Sequence, residues 1–299
     1  MSLIIDVQQV SKKYGDKTAL NNIEFSLEKG APVALVGPNG AGKTTLFSLL
    51  CGYIKPSSGN ISILGNAPGH SALFGRLAAL PQDAQLHPRF TIAMQLSFYA
   101  RLQGMSSKLA KKDMARVLDM VALTDVANSR PGELSHGMRK RATIAQALLG
   151  SPEIVMLDEA TAGLDPANAK DIRAIVAEQA HEVNFILSSH DLSELERLCD
   201  QVLYLENGHL KQHQTLGDDE KTRFITLRMK QDYPEILAMI LQMQGVSQVN
   251  MTQDREYVLT IMKAQDNANI EMNLLTLLQK NNWSYAQLIN GKTLENQLF

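Results

Sequence analysis

The residues best suited to chemistry lie between positions 37 and 45. Gly37-Pro38-Asn39-Gly40-Ala41-Gly42-Lys43-Thr44 fits G-x-x-x-x-G-K-[ST] at every fixed position, and Thr45 follows. Glycines let successive backbone N–H groups curl around an anion, and a following helix turns its positive N-terminal end toward it. Lys43 adds a point charge for the β- and γ-phosphates of a nucleotide, and the Thr44 hydroxyl is a hard oxygen ligand for Mg²⁺. A second pair of candidates ends the apolar run Ile154-Val155-Met156-Leu157, where Asp158 and Glu159 stand side by side. A buried Asp suits a magnesium ion, usually held through water, and a neighbouring Glu can polarise an attacking water. An apolar strand entering a solvated loop would also end in acids. The phosphate motif 115 residues earlier is what gives this pair a chemical reading.

These groups need elements to hold them. Pro32–Val36 is a continuous apolar run that suits a strand buried on both faces, and Lys43–Cys51 reads as the helix that follows it. Strands are expected at Ile4–Val7, Ile23–Leu27 and Ile61–Leu64, with a turn cluster over 55–59. From about Thr91 to Leu149 strand patterns disappear. Thr91–Leu102, Lys108–Leu123 and Ser135–Leu149 show helical spacing instead, which marks a helical insertion at about 88–150. Strand and helix patterns then alternate again through Ile154–Leu157, Ala167–His181, Asn184–Leu187 and Gln201–Leu205, the order of an α/β fold on a mainly parallel sheet. The polar stretch Gln212–Lys221 reads as a linker.

Beyond it, residues 222–299 hold nine Gln, eight Asn and six of the thirteen Met, a composition unlike that of the first 210. Their pattern reads strand (223–229), helix (234–244), strands (246–251 and 256–262), helix (267–280) and strand (284–289). That is a split βαβ, or ferredoxin-like, α+β unit. The expected division is therefore 1–215 and 216–299.

Composition sets limits. With 29 Lys+Arg against 31 Asp+Glu, the chain lacks the charge of a strongly basic nucleic-acid binder. Two cysteines, Cys51 and Cys199, are too few for a disulfide framework and point to a reducing, cytoplasmic setting. The N-terminus lacks the pattern of a secretory signal, and no apolar stretch approaches the roughly 18–20 residues that span a bilayer.

Further motifs recur in an order that resembles the nucleotide-binding subunits of ATP-binding-cassette transporters. Tyr14, in KKYGDK, matches the aromatic that stacks on adenine. Gln82, in LPQD, matches the glutamine that contacts Mg²⁺ and the nucleophilic water and reports to the membrane partner. Leu134-Ser135-His136-Gly137-Met138 occupies the place of the family signature LSGGQ, with His136 for its first glycine and Met138 for its glutamine. Gly163-Leu164-Asp165-Pro166 matches the loop that crosses the dimer interface, and Ala160 stands where many relatives have proline. His190, in LSSHD, matches the histidine that contacts the γ-phosphate. The resemblance covers roughly residues 1–210, about 70% of the chain.

What the resemblance implies is a P-loop ATPase using ATP and Mg²⁺. Lys43, Glu159 and His190 would be catalytic, Thr44, Gln82 and Asp158 would serve the metal, and residues 37–45 with Tyr14 would bind ATP. Ser135, Gly137 and Asp165 would act in trans, so two cassettes, a homodimer or a paired subunit, are expected. A separate integral-membrane permease is expected to carry the pore at the cytoplasmic face of the membrane, with no nucleic acid. The substitutions at 136 and 138 bear on the rate and tightness of ATP closure, while Ser135 and Gly137 are kept. Thr293–Leu298 loosely resembles the Ser-Leu-Glu-Asp-x-Phe ending of exporter cassettes with separate permeases, a group that includes copper-processing members. Soft thioethers suit Cu(I), but the spacing of Met229, Met239, Met243, Met251 and Met262 reads more simply as core filler. The competing reading is a non-transport cassette ATPase acting on DNA or ribosomes. Such relatives usually carry two cassettes, coiled coils or basic extensions, and this sequence shows none.

Overall fold

The computed structural model describes residues 3–190, 195, 198, 199, 201–215, 222–262 and 270–290. They form two compact units, 1–215 and 216–299, each with its own core.

In the first unit, β1 (Leu3–Tyr14), β2 (Lys17–Glu28) and β4 (Ser58–Ile63) make a three-stranded antiparallel sheet in the order β2-β1-β4. The first two strands run well beyond the apolar stretches that mark them in the sequence. Beyond those stretches the residues are mostly exposed or half-buried, with Val10 and Leu20 buried, and mutual pairing extends each strand to 12 residues. The second sheet is ordered β5-β6-β7-β3-β8-β9, from Leu77–Leu80, Ile154–Asp158, Asn184–Ser189, Val33–Val36, Gln201–Glu206 and His209–Thr215. Its first five strands are parallel and β9 returns antiparallel beside β8. Every residue of β3, β6 and β7 is buried, as continuous apolar runs in a doubly covered parallel sheet should be.

Two strands escape the sequence patterns. Leu77-Ala78-Ala79-Leu80 is short and carries no β-branched residue, so nothing but its pairing with β6 marks it. The polar β9 occupies four residues of the stretch read as linker, Gln212–Thr215, because its pairing with β8 supplies what its side chains do not. The remainder of that stretch, 216–221, lies outside the described residues.

Helix α1 (Lys43–Leu50) buries Leu46, Phe47, Leu49 and Leu50, none more than 2% exposed. Truncating one such leucine to alanine costs about 2–5 kcal/mol, so the loop that precedes α1 is anchored by its packing. The helical segment carries α2 (Ile92–Leu102), α3 (Ser107–Met120) and α4 (His136–Ala147), joined by two single-turn 3₁₀ pieces. Thr91, Ser106 and Ser135 cap the three helices through their side-chain oxygens. Helix α5 (Pro166–Gln179) is capped by Asp165.

The second unit contains β10 (Thr222–Met229), α6 (Ile236–Leu241), β11 (Val246–Gln253), β12 (Glu256–Met262), α7 (Ile270–Lys280) and β13 (Tyr285–Asn290). The antiparallel order β11-β12-β10-β13 with this chain order is that of a ferredoxin-like sheet. Leu227, Ile240, Leu259 and Leu274 form its fully buried centre. The methionines divide. Met229 is buried and Met243 packs against the core, but Met251 and Met262 are each 62% exposed, against the core-filler reading. Both lie on strands, where alternation sends every second residue outward whatever its hydrophobicity. Residues 293–298, which carry the loose C-terminal resemblance, lie outside the described residues.

Candidate functional site

Three parallel strands bring the chemical residues together. In an open α/β sheet ligands bind beyond the carboxyl ends of the strands. Here β3 ends at Val36 opposite Ser189 of β7, and Asp158 of β6 is paired with Ser188. This register places the loop 37–42, the pair Asp158-Glu159 and His190 at one edge.

The loop has the geometry its glycines suggest. Gly37, Gly40 and Gly42 have φ of 151°, 82° and 111°. A Cβ on Gly42 would sit 2.6 Å from Leu20 Cδ2 and 3.0 Å from the Ala19 carbonyl oxygen, so both conformation and space exclude a side chain there. Ala41 N–H donates to the Pro38 carbonyl, and the Ala41 carbonyl accepts from Gly208 N–H of the β8–β9 turn. Helix α1 has no side-chain cap, so its first N–H groups stay available to an anion. Lys43 Nζ donates to the carbonyl of Gly37 at 2.7 Å and, more weakly, to that of Pro38 at 3.4 Å, and it lies 3.9 Å from Glu159 Oε1. Burial holds its ammonium below the usual lysine range, against the opposing pull of Glu159 and Asp158.

The carboxylates are buried and differently held. Asp158 accepts from the Ser188 hydroxyl, and burial, more than any charge, pushes it above the usual carboxylate range. Glu159 takes φ +48°, and its N–H is fixed by the Ser188 oxygens. His190 Nδ1 donates to Glu159 Oε2 at 2.9 Å. Asp158 and Glu159 are 2% and 8% exposed, and among the described residues the ammonium of Lys43 is ion-paired with Glu159. Such a negative excess fits a divalent cation, and the nearby oxygens of Thr44, Gln82 and Asp158 are the hard ligands magnesium takes. Among the described residues no group of three or more His, Cys, Asp or Glu side chains is placed to hold a metal ion.

A pocket of about 600 Å³ unites these parts. Tyr14 is among its lining residues, half exposed, with Lys12 Nζ 5.0 Å from its ring centroid. Asn39, Lys43, Thr44, Thr45, Gln82, Glu159 and His190 line it as well. Of the other residues predicted to act in cis, Gly37, Pro38, Ala41 and Asp158 do not line it. Ser135, Gly137 and Asp165 do not line this pocket. Ser135 is exposed, its Oγ accepting from Met138 N–H at 3.2 Å as the cap of α4, and His136 beside it is exposed too. Gln82 also forms part of a second pocket of about 490 Å³ with His136, Arg139 and Lys140.

Sequence reading missed several contributors. Lys17, Thr18 and Asn207 line the nucleotide-sized pocket, and Ser188 holds both carboxylate residues. Ser188 was within reach, standing two residues before His190 at the end of an apolar run. Asn207-Gly208 carries the signal of a hairpin turn, but nothing in the sequence says that this turn approaches the loop at Ala41.

Comparison with known proteins agrees with the geometry. A family profile described as ABC transporter matches residues 20–162. The Nod factor export ATP-binding protein I of Burkholderia orbicola is 37% identical over 210 residues, 68% of each chain. The linearmycin resistance ATP-binding protein LnrL of Bacillus subtilis is 35% identical over 211 residues, 69% of this chain and 68% of that one. Among solved structures, cbiO1 from Clostridium perfringens, described as part of the ABC transporter complex cbiONQ, aligns with a TM-score of 0.66 and 26% identity over 72% of this chain and 89% of that one. Subunits of this family work as cassette dimers with membrane permeases, and no helix among the described residues is long and apolar enough to cross a membrane. A phosphate-binding loop, two buried carboxylates and a histidine at one sheet edge, matched over two thirds of the chain to such subunits, lead to one conclusion: the chain belongs to the ABC transporter family as an ATP-binding subunit that hydrolyses ATP with Mg²⁺.

Proposed function

We propose that this chain is the motor of an exporter whose pore lies in a separate permease, attached at the cytoplasmic face of the membrane. Two copies, or this chain and a paired cassette, would enclose ATP between the 37–45 loop of one and Ser135, Gly137 and Asp165 of the other. The observation that carries this reading is that these three residues stand outside the pocket their own chain builds, on the caps of α4 and α5. Beyond the N–H groups their caps occupy, the N-terminal ends of α4 and α5 carry positive partial charge, which would favour the phosphate of a second subunit's nucleotide.

In the mechanism, magnesium when bound offsets charge on the β- and γ-phosphates. Lys43 exchanges the Gly37 and Pro38 carbonyls for phosphate oxygens. Glu159, freed from Lys43, accepts a proton from the attacking water, and His190, donating through Nδ1, keeps the Glu159 carboxylate oriented toward the pocket. Tyr14 stacks the base. Thr44, Gln82 and Asp158 supply oxygen to the metal.

For the permease, a groove of about 330 Å³ on the helical segment is lined by Phe90, Met94, Phe98 and Tyr99. Phe90, Met94 and Phe98 are 46%, 56% and 58% exposed, a contiguous apolar surface of the kind that marks a protein interface. Its lining begins at His87, five residues after Gln82, so the nucleotide site and the groove share one segment. The 216–299 unit is an accessory domain. The relatives named for Nod factor export and linearmycin resistance support export as the direction.

Affinity capture of the tagged chain from membranes tests the reading. It should bring down a multi-spanning membrane protein, and Phe98→Asp should release it. Recovery of nucleic acid or ribosomes in its place, with ATPase stimulated by them, would favour the non-transport reading.

A further inference from the structure

We propose that Asn168 is a positioning residue that ties the segment Ser135–Gly137 to Asp165 within one chain. The proposal rests on the reading that Asp165 serves the nucleotide site of the other subunit. Gly137 is buried in the first turn of α4, and a Cβ added to it would overlap Oδ1 and Cγ of Asn168. The amide of Asn168, from the first turn of α5, therefore occupies the space that a side chain at 137 would claim.

With Oδ1 turned toward Gly137, the other end of the amide is directed at Asp165. Asn168 Nδ2 donates to Asp165 Oδ2 at 2.6 Å, a short charge-assisted bond. Asp165 Oδ1 accepts from the backbone N–H groups of Ala167 and Asn168, each at 3.0 Å. Both oxygens of an exposed carboxylate are thus fixed, largely by one residue, and the hydrogen bonds from Asn168 hold the Asp165 carboxyl below the usual carboxylate range. A carboxylate has about four lone-pair sites, so it still accepts from a partner. Without Asn168 the aspartate keeps its cap bonds but loses the restraint on Oδ2. The seat of Asn168 against Gly137 makes the two trans-acting segments one body: a shift of α4 at residue 137 presses on the amide that orients Asp165.

The assignment predicts coupling that a purely structural asparagine would not show. Asp165→Ala and Asn168→Ala are made singly and together in the full chain, and kcat, KM and affinity for a fluorescent ATP analogue are measured. Asn168→Ala should lower kcat about five- to tenfold, within the worth of one ordinary solvent-exposed hydrogen bond, and leave nucleotide affinity unchanged. In the Asp165→Ala background it should have no further effect, and Asn168→Ser, which keeps a donor, should recover part of the loss. Equal losses from Asn168→Ala in both backgrounds, or unchanged turnover in the single variant beside a defective Asp165→Ala, would overturn the proposal alone. Unchanged turnover in Asp165→Ala would remove the reading of Asp165 and the proposal with it. Thermal melts give an independent check. Gly137→Ala should be better tolerated in Asn168→Ala than in the wild type, and an equal change in Tm in both would contradict the contact.

Discussion

Replacing Glu159 by glutamine separates binding from turnover. Gln keeps the size of the side chain and an oxygen that accepts from His190 Nδ1, now 2.9 Å from Oε2, so the local geometry is preserved. What it loses is the ability to take a proton. A positioned general base contributes about 10²–10⁴-fold, so kcat should fall by that factor, equivalent to about 3–5 kcal/mol in the barrier. Binding should respond the other way. Glu159 Oε1 lies 3.9 Å from Lys43 Nζ, and two unit charges at that separation interact by about 4 kcal/mol at an effective dielectric of about 20. ATP must compete for that lysine and also meet the charge of Glu159. The neutral amide removes both obstacles, so ATP should bind at least as tightly as to the wild type. Single-turnover hydrolysis of radiolabelled ATP gives the first quantity, and equilibrium titration with a fluorescent analogue gives the second. Wild-type-like hydrolysis would refute Glu159 as the base. Loss of hydrolysis together with weaker binding would refute the argument about its charge.

Other consequences are accessible to simple measurements. Lys43→Ala should weaken nucleotide binding itself in the same titration, and unchanged affinity would count against its phosphate role. Burial places Asp158 above the ordinary carboxylate value of about 3.9, so the nucleotide-free protein holds its proton through that window and loses stability as pH rises across it. Magnesium favours the ionised form, so stabilisation by Mg²⁺ with ADP should be larger at pH 7 than at pH 5. Ser188→Ala, which removes the bond that holds Asp158 down, should move the acid limb of the ATPase profile to higher pH; an unmoved limb would contradict the assignment. Burial, with Asp158 nearby, pushes the Cys51 thiol up to about 12, so at pH 8 only about one molecule in 10⁴ carries its thiolate. Alkylation of native Cys51 by iodoacetamide should be slow, becoming fast only on unfolding.

The nucleotide site was legible in the sequence because phosphate binding is local. One loop and one helix start carry most of it, and Gly37–Thr45 is contiguous. Asp158 and Glu159 were legible through the strand that delivers them. What sequence could not supply is what register and close approach decide. Ser188 opposite Asp158, the Asn207–Gly208 turn against the loop, and Asn168 seated on Gly137 join residues 30 to 167 positions apart. The same limit applies to β5 and β9, whose side chains are unremarkable and whose partners make them strands. It applies to Met251 and Met262 as well, since an apolar residue on a strand faces the core or the solvent according to register alone.

The composite site across two cassettes is tested most directly by mixing two inactive variants. Lys43→Ala destroys the loop half of the site and Ser135→Ala the opposing half. A heterodimer of the two keeps one intact site, and random pairing makes half of the dimers mixed. The mixture should therefore regain about a quarter of the wild-type ATPase rate if the sites of a two-fold dimer act independently. A mixture no more active than the sum of its components, or full activity of Ser135→Ala alone, would contradict the shared site.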